Sequence, residues 1–243
     1  MSSPIAGRGA SPDDAELFAP AAIARLRVAE EEAGWLLGRG YPMATVIRTV
    51  GDHHQLHARQ RLALQRSTCS AAQREDRAAR RIPVDRLRGE ALAIDGLNLI
   101  VTLEVALSGG VILAGADGAF RDLAGLRGNY HLLDVTEAAL DLVGDAARAL
   151  GVASLSFWID APVSNSGRLR ARILDHAARW PGATAVELVP DADPVLAGRP
   201  RVVSSDSAVI DACVSWVSLA AWIVRARVPD AWIVDLGGAP QSR

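Results

Sequence analysis

Seven aspartates stand where apolar runs of this chain end. Asp95 directly follows Ala91–Ile94, Asp117 lies three residues beyond Val111–Ala114, and Asp160 follows Leu155–Ile159. Asp191 and Asp193 come after Ala185–Val189, Asp206 after Arg201–Ser204, and Asp235 after Trp232–Val234. If the runs are parallel strands, their carboxyl ends share one edge, and the acids gather in one crevice. Carboxylates so close repel one another unless a cation joins them, and Mg²⁺ or Mn²⁺ takes several carboxylate and water oxygens. Such an ion orients phosphate groups and lowers the pKa of bound water, so phosphoester hydrolysis is the natural chemistry. The competing explanation is local, because Asp also caps helices and turns. Asp235, in a Gly-Gly segment, is assigned to that explanation.

The elements that would position these acids alternate along the second part of the chain. Between the strand candidates lie expected helices at Leu97–Leu107, Thr136–Leu150, Gly167–Arg179 and Ser207–Ala226. Near-continuous apolar strands separated by helices indicate an α/β fold with a mostly parallel sheet covered on both faces. The first part reads differently, as helices with short breaks. Pro20 starts one helix, which Gly38 and Gly40 end; Pro42 opens a second; Ala58–Cys69 forms a third; Ser70 caps a fourth that runs to Arg81. The expected organisation is a flexible tail over 1–19, a small all-helical bundle over 20–82 and an α/β domain over 83–243.

Composition narrows the class. Half of the 243 residues are hydrophobic, enough for a sizeable core, and the net charge is −2. A disordered or collagen-like chain is excluded, and a general polyanion binder disfavoured. All 26 cations are Arg. Residues 1–90 carry 14 Arg against 11 acids, whereas 91–243 carry 12 against 17. Within 48–88 there are ten Arg and four acids, together with His53, His54 and His57. The histidines lack a companion acid or Cys at a strong ligand spacing, except Asp52. With Arg59, Arg61 and Arg66 they suit phosphate-backbone contact better than zinc, although a solvated basic face is the commoner explanation of such a run. The six Trp residues read mostly as core. Cys69 and Cys213 form no CxxC pair, there is no signal-like leader over Met1–Ala10, and Ala212–Val224 is too short to span a membrane. A cytoplasmic chain, with no membrane partner, is expected.

Ile94-Asp95-Gly96-Leu97-Asn98 resembles the Asp-Gly-x-Asn opening of the NYN branch of PIN-like nucleases. Val203-Ser204-Ser205-Asp206-Ser207 is similar to the late Ser/Thr-x-Asp segment of that superfamily, with Ala208 where a second Asp often follows. From Ala22 to Asp235 the chain also resembles a prokaryotic family known as domain of unknown function 434. That likeness rests on Arg39-Gly40-Tyr41-Pro42, Val50-Gly51-Asp52, Asp95-Gly96-Leu97-Asn98, Asp117-Gly118, Arg121-Asp122, Asp160-Ala161-Pro162-Val163-Ser164, Ser166-Gly167 and Ser205-Asp206-Ser207.

The PIN-like resemblance implies a Rossmann-like three-layer sandwich and a metal-dependent ribonuclease. It makes Asp95 and Asp206 metal ligands, puts Asp160 at the strand end where another is expected, and has Asn98 orient a phosphate or water. Asp117 is a positional substitute for a later acid. Glu104 stands too close to the opening motif for that role and reads as a solvated helix acid. Ser164 and Ser166 precede a helix whose N-terminus could hold a phosphate, or they simply cap it. Arg121, Ser205 and Ser207 are further substrate-side candidates. The expected cofactor is Mg²⁺ or Mn²⁺ and the expected partner RNA, with a second copy of the chain another candidate. The alternative is a non-catalytic RNA- or nucleotide-binding module.

Overall fold

The computed structural model describes residues 8–125 and 128–237. Five helices come first: α1 (Asp14–Leu17), α2 (Pro20–Gly38), α3 (Met43–His53), α4 (Ala58–Ser67) and α5 (Ala71–Arg80). Pro20 occupies the first turn of α2, and Pro42 stands immediately before α3. Ser70 caps α5 in a capping box with Gln73. The stretch 8–19, expected as tail, is instead packed: Asp14 and Phe18 are buried, and Phe18 joins the bundle core with Leu26, Val50 and Leu64. Residues 1–7, the rest of the expected tail, lie outside the described residues.

The rest contains β1 (Ala91–Asp95), α6 (Gly96–Leu107), β2 (Val111–Ala114), β3 (Phe120–Asp122), α7 (Asp134–Leu150), β4 (Ser154–Asp160) and α8 (Ser166–Ala177). It continues with β5 (Ala183–Val189), α9 (Ala192–Leu196), β6 (Val202–Val203), α10 (Ser207–Ala212), α11 (Leu219–Arg227) and β7 (Trp232–Asp235). The strands divide between two sheets. One has the order β5-β4-β1-β6 and is wholly parallel. The other has the order β3-β2-β7, with β2 antiparallel to β3 and parallel to β7. The fold is therefore mixed α/β behind a helical N-terminal region.

Side-chain alternation along the strands feeds opposite faces of the parallel sheet. Leu92, Ile94, Leu155, Phe157 and Val203 enter the larger core with residues of α6, α7, α8 and α11. Ala93, Trp158 and Val202 enter a smaller one with Ala192, Leu196, Ile210 and Trp216. The second sheet has a different partner: Val111, Leu113 and Val234 share their core with the N-terminal helices.

The single helix expected over Ser207–Ala226 is broken. Residues between α10 and α11 run alongside β6, with Val202 N–H donating to Ser215 O and Val217 N–H to Val202 O. Ile82 N–H donates to Trp216 O on the other side. The β-branched and aromatic residues of Val214–Val217 thus cover an otherwise open edge, a use that outweighs helical continuity. No helix among the described residues is long and apolar enough to cross a membrane.

Candidate functional site

Strand order fixes which acids meet. In register, Asp95 lies opposite Trp158 of β4, and Ile94 opposite Val203 of β6. Asp160, the last residue of β4, therefore lies two residues beyond the level of Asp95, and Asp206 follows β6 on the other side as the N-cap of α10. Flanking strands are about 10 Å apart, so these acids surround Asp95 rather than touch it. Among the described residues, these three carboxylates do not form a set whose ligand oxygens all lie within 4.8 Å of one another.

Asp95 is buried and caps α6: Asn98 N–H donates to its Oδ1 at 3.2 Å. Ser204 Oγ donates to its Oδ2 at 2.9 Å and accepts from Asp206 N–H at 3.0 Å. Burial pushes the Asp95 carboxyl up to about 7 against those two hydrogen bonds, and Asp160 and Asp193 add repulsion. Gly96 is required next to it, since a Cβ there would stand 2.8 Å from Ile159 Cγ1 and 3.2 Å from Trp158 O. Asp160 holds the turn into α9 by accepting from Ala192 N–H at 2.7 Å. Asp206 accepts from Ala208 N–H at 2.7 Å at the start of α10.

Asp193 belongs to the same field. Its carboxyl is raised by desolvation and then by Asp206, Asp191 and Asp160. In sequence it reads as one of two acids after β5, with nothing to set it above Asp191. A latch closes the other side, where Asn98 Oδ1 accepts from both Ser205 N–H, at 2.8 Å, and Ser205 Oγ, at 2.9 Å. Beside this latch a cavity of about 520 Å³ reaches Asn98, Ser205, Asp206 and Ser207, with Arg66 and Arg121 also in its wall. Asp95, Asp160 and Asp193 are outside that wall.

Asp117 stands apart, because β2 belongs to the second sheet. Its carboxylate accepts from Arg77, from both terminal nitrogens of Arg121 and from Ala119 N–H, so its oxygens are occupied without a metal. Burial alone would raise it, but hydrogen bonds and charge from Arg121, and then Arg77, hold it at about 2. Arg121 also donates to Ser205 O at 2.7 Å and Ser207 Oγ at 3.2 Å. It therefore positions the late motif through its backbone, and Arg77 ties α5 to the same place through Asp211.

Half of the ten Arg of the basic segment make ion pairs within the chain. Arg59 pairs with buried Asp14, Arg61 with Asp52, and Arg66 donates to Asp122 and Ala124 O. Of these three, only Arg66 borders the cavity. Ser164 makes two hydrogen bonds to the backbone of Tyr130, and Ser166 Oγ donates to Ala161 O. Glu104, expected in solvent, is fully buried and accepts from Tyr130 Oη, Thr136 Oγ1 and Arg8 Nε. These partners come from three separate segments, which is why its helix position alone did not reveal them.

A family model described as "Domain of unknown function (DUF5616)" matches residues 84–222, more than half of the chain. A second, "Protein of unknown function (DUF434)", matches residues 25–80. The likeness to the latter expected from Ala22 to Asp235 is thus confined to the helical region, and the α/β region matches a different family. The chain is 26% identical to an uncharacterised protein of Methanocaldococcus jannaschii, MJ0935, over 182 residues, 75% of this chain and 87% of that one. No solved structure gives a significant match.

Proposed function

The chain belongs to the family described as Domain of unknown function (DUF5616), and from its acidic edge we propose a metal-dependent phosphodiesterase of PIN-like type acting on RNA. The observation that carries the reading is the gathering of Asp95, Asp160, Asp193 and Asp206 in one electrostatic field at the carboxyl edge of a parallel sheet. A buried carboxyl held up at about 7 is a group that gains from a nearby cation. The donor set is all oxygen, which suits Mg²⁺ or Mn²⁺, and Mg²⁺ keeps several waters between itself and its carboxylates. Acids spread around a strand end therefore fit such an ion better than they would fit Zn²⁺. When bound, the ion would supply charge neutralisation at phosphate and a more acidic water.

The chain's own residues do the rest. Asp95, Asp160 and Asp206 would hold the ion, and Asp193 would add negative charge. Asn98, with its Oδ1 taken by Ser205, keeps its amide NH₂ for a phosphate oxygen. Arg66 supplies a cation on the cavity side, while Arg121 positions Ser205 and Ser207. Arg59 and Arg61 have structural roles in this reading. Titrating Mn²⁺ while following thermal stability tests it: wild type should be stabilised, and Asp95→Asn and Asp160→Asn should lose that response. No shift at millimolar metal would refute the metal site.

That these three carboxylates do not form a set with all ligand oxygens within 4.8 Å favours a second reading, a non-catalytic RNA- or nucleotide-binding module built on the same cavity. It requires RNA retention without cleavage and without any effect of Mn²⁺.

A further inference from the structure

We propose that Glu32, His53 and His54 form a separate binding site for a divalent transition ion of the Zn²⁺ class. Glu32 projects from α2, His53 ends α3, and His54 is the residue that follows it. One ligand atom from each lies within 4.8 Å of the other two, and among the described residues no other His, Cys, Asp or Glu group of three or more does so. His54 Nε2 stands 2.7 Å from Glu32 Oε2. Two imidazoles and one carboxylate are a donor set of zinc sites that keep a fourth position for water. Tetrahedral ligands about 2.1 Å from zinc are about 3.4 Å apart, so the His54–Glu32 pair opens by less than an ångström to admit the ion.

The surroundings are consistent with a cation at this place. The two histidines sit at the C-terminus of α3, where the free carbonyls carry partial negative charge. Arg61, which also reaches this end, is paired with Asp52. His57 is excluded from the set, because its Nδ1 accepts from Arg59 N–H as the cap of α4. The acid that completes the histidines comes from α2, more than 20 residues away in sequence, and so is absent from their local spacing. The site would fasten α2 to the end of α3.

Co²⁺ titrated into the full, chelator-treated chain tests the proposal. Wild type should develop the intense visible absorption of a four-coordinate site, and Zn²⁺ should bleach it. Glu32→Gln, His53→Ala and His54→Gln should each weaken Zn²⁺ about tenfold or more, since losing a direct ligand costs at least as much as losing a supporting residue. The Asp95→Asn/Asp206→Asn variant should keep the four-coordinate Co²⁺ absorption, which separates this site from the acidic edge. His53 is exposed, so His53→Ala keeps its fold and decides the matter even if another variant unfolds. A pale six-coordinate spectrum, or unchanged Zn²⁺ affinity in His53→Ala, would overturn the proposal and leave the reading of the acidic edge untouched.

Discussion

Replacing Asp95 with Asn should make the protein more stable at alkaline pH. The Asp95 carboxyl lies at about 7 against an ordinary 3.8, so the folded state binds its proton more tightly than the unfolded state. Stability from this group is complete below about pH 4, declines as pH rises to about 7, and is flat above. Three units correspond to about 4 kcal/mol lost across that window. Asn removes the charge but turns an NH₂ toward one of two donors, Ser204 Oγ or Asn98 N–H, which costs about 1–3 kcal/mol. The net gain at about pH 8.5 is therefore about 1–3 kcal/mol, and the decline between about pH 4 and 7 should flatten. Urea unfolding of both proteins at several pH values measures this. Glu30 is also pushed up by burial, to about 7, but it contributes equally to both proteins and cancels in the difference. Adding Mn²⁺ should stabilise wild type alone. Parallel pH profiles, or a variant markedly less stable than wild type at high pH, would refute the reasoning.

Gly96→Ala should cost about 1–3 kcal/mol in a thermal melt, because the added methyl overlaps Ile159 and crowds a carbonyl of β4. Arg121→Met should cost about 3–5 kcal/mol by leaving a buried charge network incomplete. It should also move acid unfolding upward: Asp117, held at about 2, contributes stability above its ordinary pKa that wild type loses only as pH falls toward 2, and the variant loses sooner. Arg59→Ala should lower stability by a few kcal/mol, since Asp14 stays buried without its partner, while filter binding of RNA is unchanged. Arg66→Ala should weaken that binding about tenfold and reduce its salt slope by about one.

Local signals in the sequence read well. Pro20, Pro42 and Ser70 mark helix starts because each acts through its own backbone and first turn. The pattern of apolar run followed by acid correctly places Asp95 and Asp160 at strand ends and Asp206 at the start of the helix after β6. Asp117 has the same pattern and a different environment, because its strand pairs in another sheet, and pairing depends on contacts distant in sequence. The charge excess of 48–88 misleads for the same reason. The acids that take up Arg59, Arg66 and Arg77 are Asp14, Asp122, Asp117 and Asp211, all outside the segment. The interruption between α10 and α11 follows from an open edge of β6, which only the assembled sheet reveals.

The most direct test of hydrolysis at the acidic edge is cleavage of an end-labelled pool of single-stranded and structured RNA, with Mn²⁺, by wild type and Asp206→Asn purified in parallel. Asn can still cap α10 by accepting from Ala208 N–H, so the variant keeps its local structure. Wild type should cut the pool, and Asp206→Asn should be slower by about two orders of magnitude, the scale of losing one preorganised electrostatic group. Equal rates for the two proteins, or RNA left intact by wild type, would contradict the account.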